Sequence, residues 1–130
     1  MKSYTGLDQS RKLAGILSIE SADMRYGYIA PYDYSDRMYD GGYDEIPYPK
    51  DFLIKNPNFS ADEYEAELPC WSLVALLSVL DFPSLTQNKE DEWEVCVPNH
   101  KSDGYIEVSA DNPVDACYEM IIKLRGLNLL

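Results

Sequence analysis

The sequence has no long hydrophobic run and few basic residues. Its longest largely apolar stretch, Leu73 to Leu80, is far shorter than the ~20 residues that a transmembrane helix requires. Residues 1–6 lead into polar sequence, without the apolar segment of a secretory signal peptide. Lysine and arginine number 11 against 23 acidic residues, which gives a formal charge of −12. Such a domain repels phosphate backbones and anionic lipids, so we expect neither direct nucleic-acid binding nor membrane association.

Histidine and cysteine are also scarce, which limits metal and nucleophile chemistry. His100 is the single histidine, and Cys70, Cys96 and Cys117 are the three cysteines. These residue types suit zinc, but the chain lacks the local Cys-x2-Cys pair of most structural zinc sites. Three cysteines cannot all pair within one chain, so we expect reduced thiols and a cytoplasmic protein. Because glycine-rich phosphate-binding motifs are missing too, we predict no metal and no cofactor.

An enzyme with a cysteine nucleophile is one alternative that the residues leave open. Cys70 follows Pro69 and precedes a predicted helix, whose dipole can lower the pKa of a thiol. His100 would have to act as its base. The other interpretation is that Cys70 and Trp71 pack as apolar core residues while His100 lies in a hairpin turn. We favour this second interpretation and expect that the protein is not an enzyme.

Helical periodicity and capping residues predict three helices. Apolar residues recur at helical spacing over about 6–17, 72–81 and 112–125. Thr5, Ser72 and Asn112 stand where the N-caps of these helices are expected. Pro113 suits the first position of the last helix, because proline needs no amide hydrogen there.

Alternating apolar residues predict strands. The alternation indicates an antiparallel hairpin at about 92–109 and a strand at about 24–30. With the three helices, this order predicts an α+β fold that has a small, mainly antiparallel sheet. The 130 residues suit one domain, 1–130.

The stretch from about 31 to 69 differs in composition from the rest of the chain. It holds five prolines, the pair Gly41-Gly42 and a net charge of −7. Proline fixes φ and donates no hydrogen bond, so we expect neither a long helix nor a central strand here. We predict a long loop, with a helical turn at about 60–67 that Ser60 would cap.

Tyrosine is concentrated at the start of this stretch. Seven of the 11 tyrosines lie between residues 26 and 48, interleaved with acids. Tyrosine buries a large area and keeps a hydrogen-bonding tip, which suits protein-binding surfaces. An alternative is that several rings anchor the loop to the domain. The candidate binding residues are Tyr32, Tyr34, Asp36, Tyr39, Asp40, Tyr43 and Asp44.

Parts of the sequence resemble a group of small uncharacterised proteins of intestinal bacteria, often encoded in prophage or mobile-element regions. The resemblance is carried by residues 9–17, 21–24, 68–73 and 111–117. It implies a cytoplasmic accessory protein and carries no activity or catalytic residue. The tyrosine-rich stretch lies outside it.

These observations favour a small acidic, non-enzymatic module of phage or mobile-element origin that binds a still unidentified protein partner. A second hypothesis is a nucleic-acid mimic that acts on a host DNA-handling or defence protein, because acids and aromatics complement a basic groove. The enzyme with Cys70 as nucleophile is the third.

Overall fold

A computed structural model describes residues 1–29, 32–34, 37–39, 42–43, 46–49 and 66–130. Within these residues, three α-helices accompany two antiparallel sheets and a two-stranded ribbon. The predicted α+β class is therefore confirmed.

The helices are α1 (Leu7–Ala14), α2 (Leu73–Val79) and α3 (Pro113–Gly126), and a 3₁₀ turn covers Ile19–Ser21. Two predicted N-caps are confirmed. The Ser72 hydroxyl accepts a hydrogen bond from the Ala75 amide at 3.2 Å. The side-chain oxygen of Asn112 accepts one from the Asp115 amide at 2.9 Å. Both helices thus begin where a short polar side chain satisfies an otherwise unpaired amide.

The first helix differs from its prediction at both ends. Its N-cap is Gly6, whose amide donates to the Gln9 side chain at 3.0 Å. Thr5 is not the cap, because its hydroxyl is fully buried and accepts a hydrogen bond from the Trp71 amide. The helix ends at Ala14 and is C-capped by Gly15, rather than continuing to Leu17.

The strands are β1 (Met24–Ile29), β2 (Tyr32–Tyr34), β3 (Arg37–Tyr39), β4 (Gly42–Tyr43), β5 (Tyr48–Pro49), β6 (Ala66–Cys70), β7 (Ser84–Gln87), β8 (Trp93–Pro98) and β9 (Tyr105–Ala110). Strand β1 is the centre of one sheet. It pairs with β6 along one edge and with β4 and β5 along the other. The order β7-β8-β9 makes the second sheet, and β2 pairs with β3 in the ribbon.

The predicted strand at 24–30 and the hairpin at 92–109 are confirmed as β1 and β8–β9. Within the predicted loop region 31–69, the described residues form the short strands β2 to β5 and most of β6. Residues 50–65 lie outside the described residues, so the long loop stays a prediction there. The prolines of this region are compatible with the strands because Pro49 and Pro69 belong to strands at the edges of the β1 sheet. Ala66 and Glu67 are in a strand rather than a helical turn, and Ser60 lies outside the described residues.

The main hydrophobic core lies between the β7-β8-β9 sheet, α2 and α3. Trp71, Leu76, Val95, Met120 and Ile121 are among its fully buried side chains. The α1 helix contributes Leu13 to the same cluster. The prediction that Trp71 is a core anchor is confirmed.

A second, smaller core joins the β1 sheet to α1. Tyr26, Leu68 and Cys70 are buried there, and Leu7 and Tyr43 pack against them. The pairs Met24–Cys70 and Tyr26–Leu68 are directly opposite in the ladder between β1 and β6. Paired residues share one face of a sheet. This core therefore occupies the face of the β1 sheet that α1 covers.

Thr5 connects the N-terminal segment to both cores. Its amide donates to the Trp71 carbonyl at 2.9 Å, and its hydroxyl accepts from the Trp71 amide at 3.1 Å. The Thr5 carbonyl accepts from the Tyr26 hydroxyl at 2.9 Å, and the Thr5 and Ser10 hydroxyls are 2.8 Å apart. Thr5 and Ser10 are both fully buried, so these polar groups find their partners within the protein.

A second polar cluster fixes the N-terminus to the start of α3. The Asp115 carboxylate accepts hydrogen bonds from Lys2 and from Gln9, each at 2.8 Å, and from Asn112 at 2.8 Å. Desolvation raises the pKa of Asp115, but these hydrogen bonds and the charge of Lys2 outweigh it, so the pKa lies below its usual value. The position in the first turn of α3 also suits a negative charge.

Replacing Thr5 by valine tests the first of these connections. Thr5→Val keeps the shape of the side chain but leaves the buried Trp71 amide without its partner and removes one of the partners of the Ser10 hydroxyl, so we expect a loss of about 1–3 kcal/mol in unfolding free energy. Denaturant unfolding followed by tryptophan fluorescence measures it. The matched control is Thr86→Val, at an exposed position of β7. Equal effects of the two substitutions would contradict the role given to Thr5.

Replacing Asp115 tests the second connection through pH. Because the folded-state pKa of Asp115 is lowered, its contribution is present above the unfolded pKa of about 4 and is lost as pH falls through the folded value. We expect Asp115→Asn to cost about 1 kcal/mol at neutral pH, a value reduced for its partial exposure. The difference from the wild type should vanish towards about pH 2. Glu119→Gln, exposed on the same helix, is the control. A difference independent of pH would contradict the assignment.

Candidate functional site

The ribbon continues the register of the β1 sheet. Strand β1 pairs with β4 through Tyr28–Tyr43 and Ile29–Gly42. Tyr32 of β2 is four residues after Tyr28. It pairs with Tyr39 of β3, which is four residues before Tyr43. The two ladders, β1–β4 and β2–β3, therefore have the same register, although β2 and β3 form a sheet of their own.

Within each ladder, the register places tyrosines at positions of one face. Residues directly opposite in an antiparallel ladder share a face, and residues two apart along a strand share it as well. The β1–β4 ladder pairs Tyr28 with Tyr43 in this way, and the β2–β3 ladder places the pairs Tyr32–Tyr39 and Tyr34–Arg37 on one face of the ribbon. The pair Asp33–Met38 belongs to the other face of the ribbon. We call the positions of these three pairs, Tyr28, Tyr32, Tyr34, Arg37, Tyr39 and Tyr43, the tyrosine face.

One residue of the tyrosine face, Tyr43, contacts the second core. Tyr26 lies two residues before Tyr28 on β1 and is buried in that core. Tyr43 of β4 packs against the same core. The second core therefore extends to the β1–β4 ladder. Among the described elements, the main contacts of β2 and β3 are with one another.

The base of the tyrosine face holds a guanidinium group. Arg11, on α1, lies 5.4 Å from the ring centre of Tyr43. This distance is within the range of a cation–π interaction. The Arg11 side chain also donates to the Asp8 carboxylate at 3.0 Å. Asp8 in turn lines an open cleft of about 650 Å³ together with Tyr4, Leu7 and Tyr26. The cleft therefore lies beside the base of the tyrosine face.

The structure accounts for four of the seven candidate binding residues. It places Tyr32, Tyr34 and Tyr39 in the ribbon and Tyr43 in β4. The other three, Asp36, Asp40 and Asp44, lie outside the described residues. Composition located the tyrosine cluster, including Tyr28, but the candidate binding residues drawn from it omitted Tyr28 and Arg37. The alternation of tyrosine at 26, 28, 32 and 34 was the pattern that could have indicated a shared face.

The structure gives the two members of the candidate catalytic dyad different surroundings and different partners. Cys70 is fully buried at the end of β6 rather than at a helix start, and its thiol donates to the Thr5 carbonyl at 3.5 Å. Burial raises the pKa of the Cys70 thiol, although hydrogen bonds from Thr5 and Ser10 oppose the shift. His100 is exposed and pairs with Asp81. Cys70 thus lacks the accessibility and the lowered pKa that a nucleophilic thiol needs.

Burial also raises the pKa of the other two cysteines. All three cysteines lie in the described residues as free thiols. Burial in the main core raises the pKa of Cys117 to about 12. Burial, with Glu107 and Glu94 nearby, raises the pKa of Cys96. No three metal-binding side chains are grouped so that they could hold an ion in the part of the chain that the structure describes.

No protein-family model matches the chain, and no curated protein or solved structure is significantly similar to it. Across the described residues, every helix is too short or too polar to cross a membrane.

The burial of the thiols predicts the order in which they react. Under native conditions we expect Cys96, which is half-buried, to be alkylated at least about tenfold faster than Cys70 or Cys117. Because the pKa of the Cys96 thiol is raised, its alkylation rate should increase at a higher pH than is usual for a thiol. Mass spectrometry of peptides after timed alkylation measures the three rates, with the denatured chain as control. Rapid native alkylation of Cys70 would revive the nucleophile hypothesis.

Proposed function

We propose that this protein is a small acidic, non-enzymatic module that binds a partner protein through the tyrosine face. The observation that carries the proposal is the common register of the β1–β4 and β2–β3 ladders, which places tyrosine opposite tyrosine at Tyr28–Tyr43 and at Tyr32–Tyr39. A cytoplasmic accessory role and a mobile-element origin, as the sequence resemblance implies, belong to the same proposal.

Tyrosine suits such a face for physical reasons. Its ring offers a large contact area with few rotatable bonds, so that little conformational entropy is lost on binding. Its hydroxyl hydrogen-bonds to water in the free protein and to the partner in the complex. Each strand of the ribbon also pairs with one strand only among the described elements, which leaves an edge of each for strand addition.

The charge of the chain supports a protein partner over a nucleic acid. A net charge of −12 opposes association with phosphates and favours a basic protein surface. The buried, hydrogen-bonded Cys70 supports the non-enzymatic part of the proposal. Nucleic-acid mimicry by the acids of residues 33–45 stays a prediction, because Asp36, Asp40 and Asp44 lie outside the described residues.

A triple substitution on the tyrosine face tests the proposal. Tyr32→Ala, Tyr34→Ala and Tyr39→Ala remove three rings but keep Tyr43, which packs against the second core. We expect partner capture from the native host to fall at least about tenfold, because rings at the centre of an interface carry most of its binding energy. Quantitative affinity capture with mass spectrometry measures this loss.

The matched control is the double variant Asp33→Ala and Met38→Ala, a cross-strand pair of the opposite face. It should retain capture. Thermal unfolding of both variants shows whether the fold survives. If the tyrosine variant unfolds, the rings anchor the domain, as in the alternative interpretation of the sequence. If it folds and still captures the same proteins, the proposed function is wrong.

A further inference from the structure

We infer that the outer edge of β7 binds an extended segment of a partner protein in which apolar and basic residues alternate. Strand β7 is an outer strand of the β7-β8-β9 sheet, and among the described elements it pairs only with β8. An edge of this kind can accept a further strand through its backbone groups. The inference is independent of the tyrosine face, because it concerns another sheet and residues that are all described.

The register of the sheet identifies the backbone groups of β7 that point away from β8. The Asn88 amide donates to the Glu92 carbonyl at 2.9 Å, just beyond the last pair of the β7–β8 ladder. Residues along an antiparallel strand alternate between bonding to the neighbour and pointing away from it. The even-numbered residues of β7 therefore bond to β8, and the amides and carbonyls of Leu85 and Gln87 point outwards. Within the described residues these outward groups have no hydrogen-bond partner.

The opposite edge of the sheet is protected, whereas the β7 edge is not. At the β9 edge, the Lys123 side chain of α3 donates to the Glu107 carbonyl at 3.4 Å. Strand β7 has the sequence Ser-Leu-Thr-Gln, without the charged residues or proline that commonly prevent pairing at an edge. Its side chains are exposed apart from that of half-buried Leu85. The edge of β7 is therefore accessible in the free protein.

An exposed phenylalanine lies next to the start of this edge. Phe82 is 81% exposed and has a φ of 48°. The left-handed region is costly for a bulky side chain, and such strain occurs most often at binding sites. A segment bound along β7 has one end near Phe82, since only Pro83 separates this residue from the strand. We therefore assign the ring an apolar contact with the partner.

The side chains around β7 favour the alternating pattern. Leu85 packs on the main core, so a residue of the added strand on that face meets an apolar neighbour. On the other face, Thr86 is opposite Glu94 of β8. An added strand lies about 10 Å from β8, a gap that a lysine or arginine can bridge to Glu94 across the short Thr86 side chain. The turn after β7 adds three more acids, Glu90, Asp91 and Glu92.

Two end-blocked heptapeptides test the inference on the full chain. One alternates valine with lysine, and the other alternates valine with glutamate. Fluorescence anisotropy of labelled peptides at about 0.15 M salt, where long-range attraction is screened, compares their dissociation constants. We expect the lysine peptide to bind at least about tenfold more tightly. Equal affinities of the two peptides would contradict the basic part of the pattern.

Amide hydrogen exchange followed by NMR locates the bound peptide. Saturation with the lysine peptide should slow the exchange of the Leu85 and Gln87 amides at least about tenfold, because both acquire a hydrogen-bond partner. Unchanged exchange of these two amides would overturn the inference.

Backbone N-methylation of the lysine peptide separates strand addition from attraction by charge. One version is methylated at every valine and the other at every lysine. Only one of these two sets of amides faces β7 in an added strand. One version should therefore bind at least about tenfold more weakly than the unmethylated peptide, while the other should retain its affinity. Equal effects of the two methylations would exclude strand addition.

A substitution in β7 removes one outward amide from the protein. Gln87→Pro deletes a donor at the outer edge but no donor of the β7–β8 ladder, so the fold tolerates it. Peptide affinity should fall at least about tenfold. The matched control, Gln87→Ala, keeps the amide and should bind as the wild type does. Undiminished binding by a folded proline variant would contradict the inference, and if that variant unfolds, the methylated peptides test the same contact in the wild type.

A second copy of the chain is the other candidate occupant of this edge. The net charge of −12 on each copy opposes such pairing. Size-exclusion chromatography with light scattering should therefore show a monomer at about 100 µM. A dimer in which the Leu85 and Gln87 amides are protected from exchange would overturn the inference.

Discussion

The docking of Thr5 against Cys70 and Trp71 is the contact on which both cores depend. Successive residues of an extended chain face opposite sides, and here Cys70 belongs to the second core while Trp71 belongs to the main core. Thr5 hydrogen-bonds to both residues through its amide, its carbonyl and its hydroxyl. Because all these groups are buried, an altered position of the N-terminal segment would leave several of them unpaired, at a high free-energy cost. The two cores are thereby held in one arrangement.

This constraint extends to the tyrosine face. Cys70 of β6 is opposite Met24 of β1, and opposite residues share one face of the sheet. The face of β6 that contacts Thr5 therefore lies on the same side as the face of β1 that packs on α1. A slip of one residue in a sheet exchanges its two faces. The β1–β4 ladder has the same dependence, since the ring of Tyr43 packs against the second core. The position of Tyr43 therefore depends on a hydrogen-bond cluster that contains no residue of β4.

Local patterns predicted the parts of the fold that local interactions determine. The caps Ser72 and Asn112 satisfy amides three residues away, so the sequence near them was sufficient to predict α2 and α3. Thr5 resembles a cap in the sequence, but the Trp71 amide, distant along the chain, binds its hydroxyl instead. Strands β2 to β6 escaped prediction because short strands among prolines are stabilised by pairing partners that a local pattern does not identify. Composition likewise located the tyrosines, whereas their common face requires the register.

The acidity of the chain and the tyrosine face are compatible because they act over different distances. Net charge of −12 repels a second copy of the chain and so opposes self-association through aromatic surfaces. At the range of contact, a tyrosine ring attracts a cationic group, as the Arg11 guanidinium over the Tyr43 ring shows within this chain. Tyr43 combines two environments in one residue, since its ring packs against a buried core and also meets the Arg11 guanidinium. Because tyrosine has an apolar ring with a π face, one residue type serves both the core and its boundary with α1.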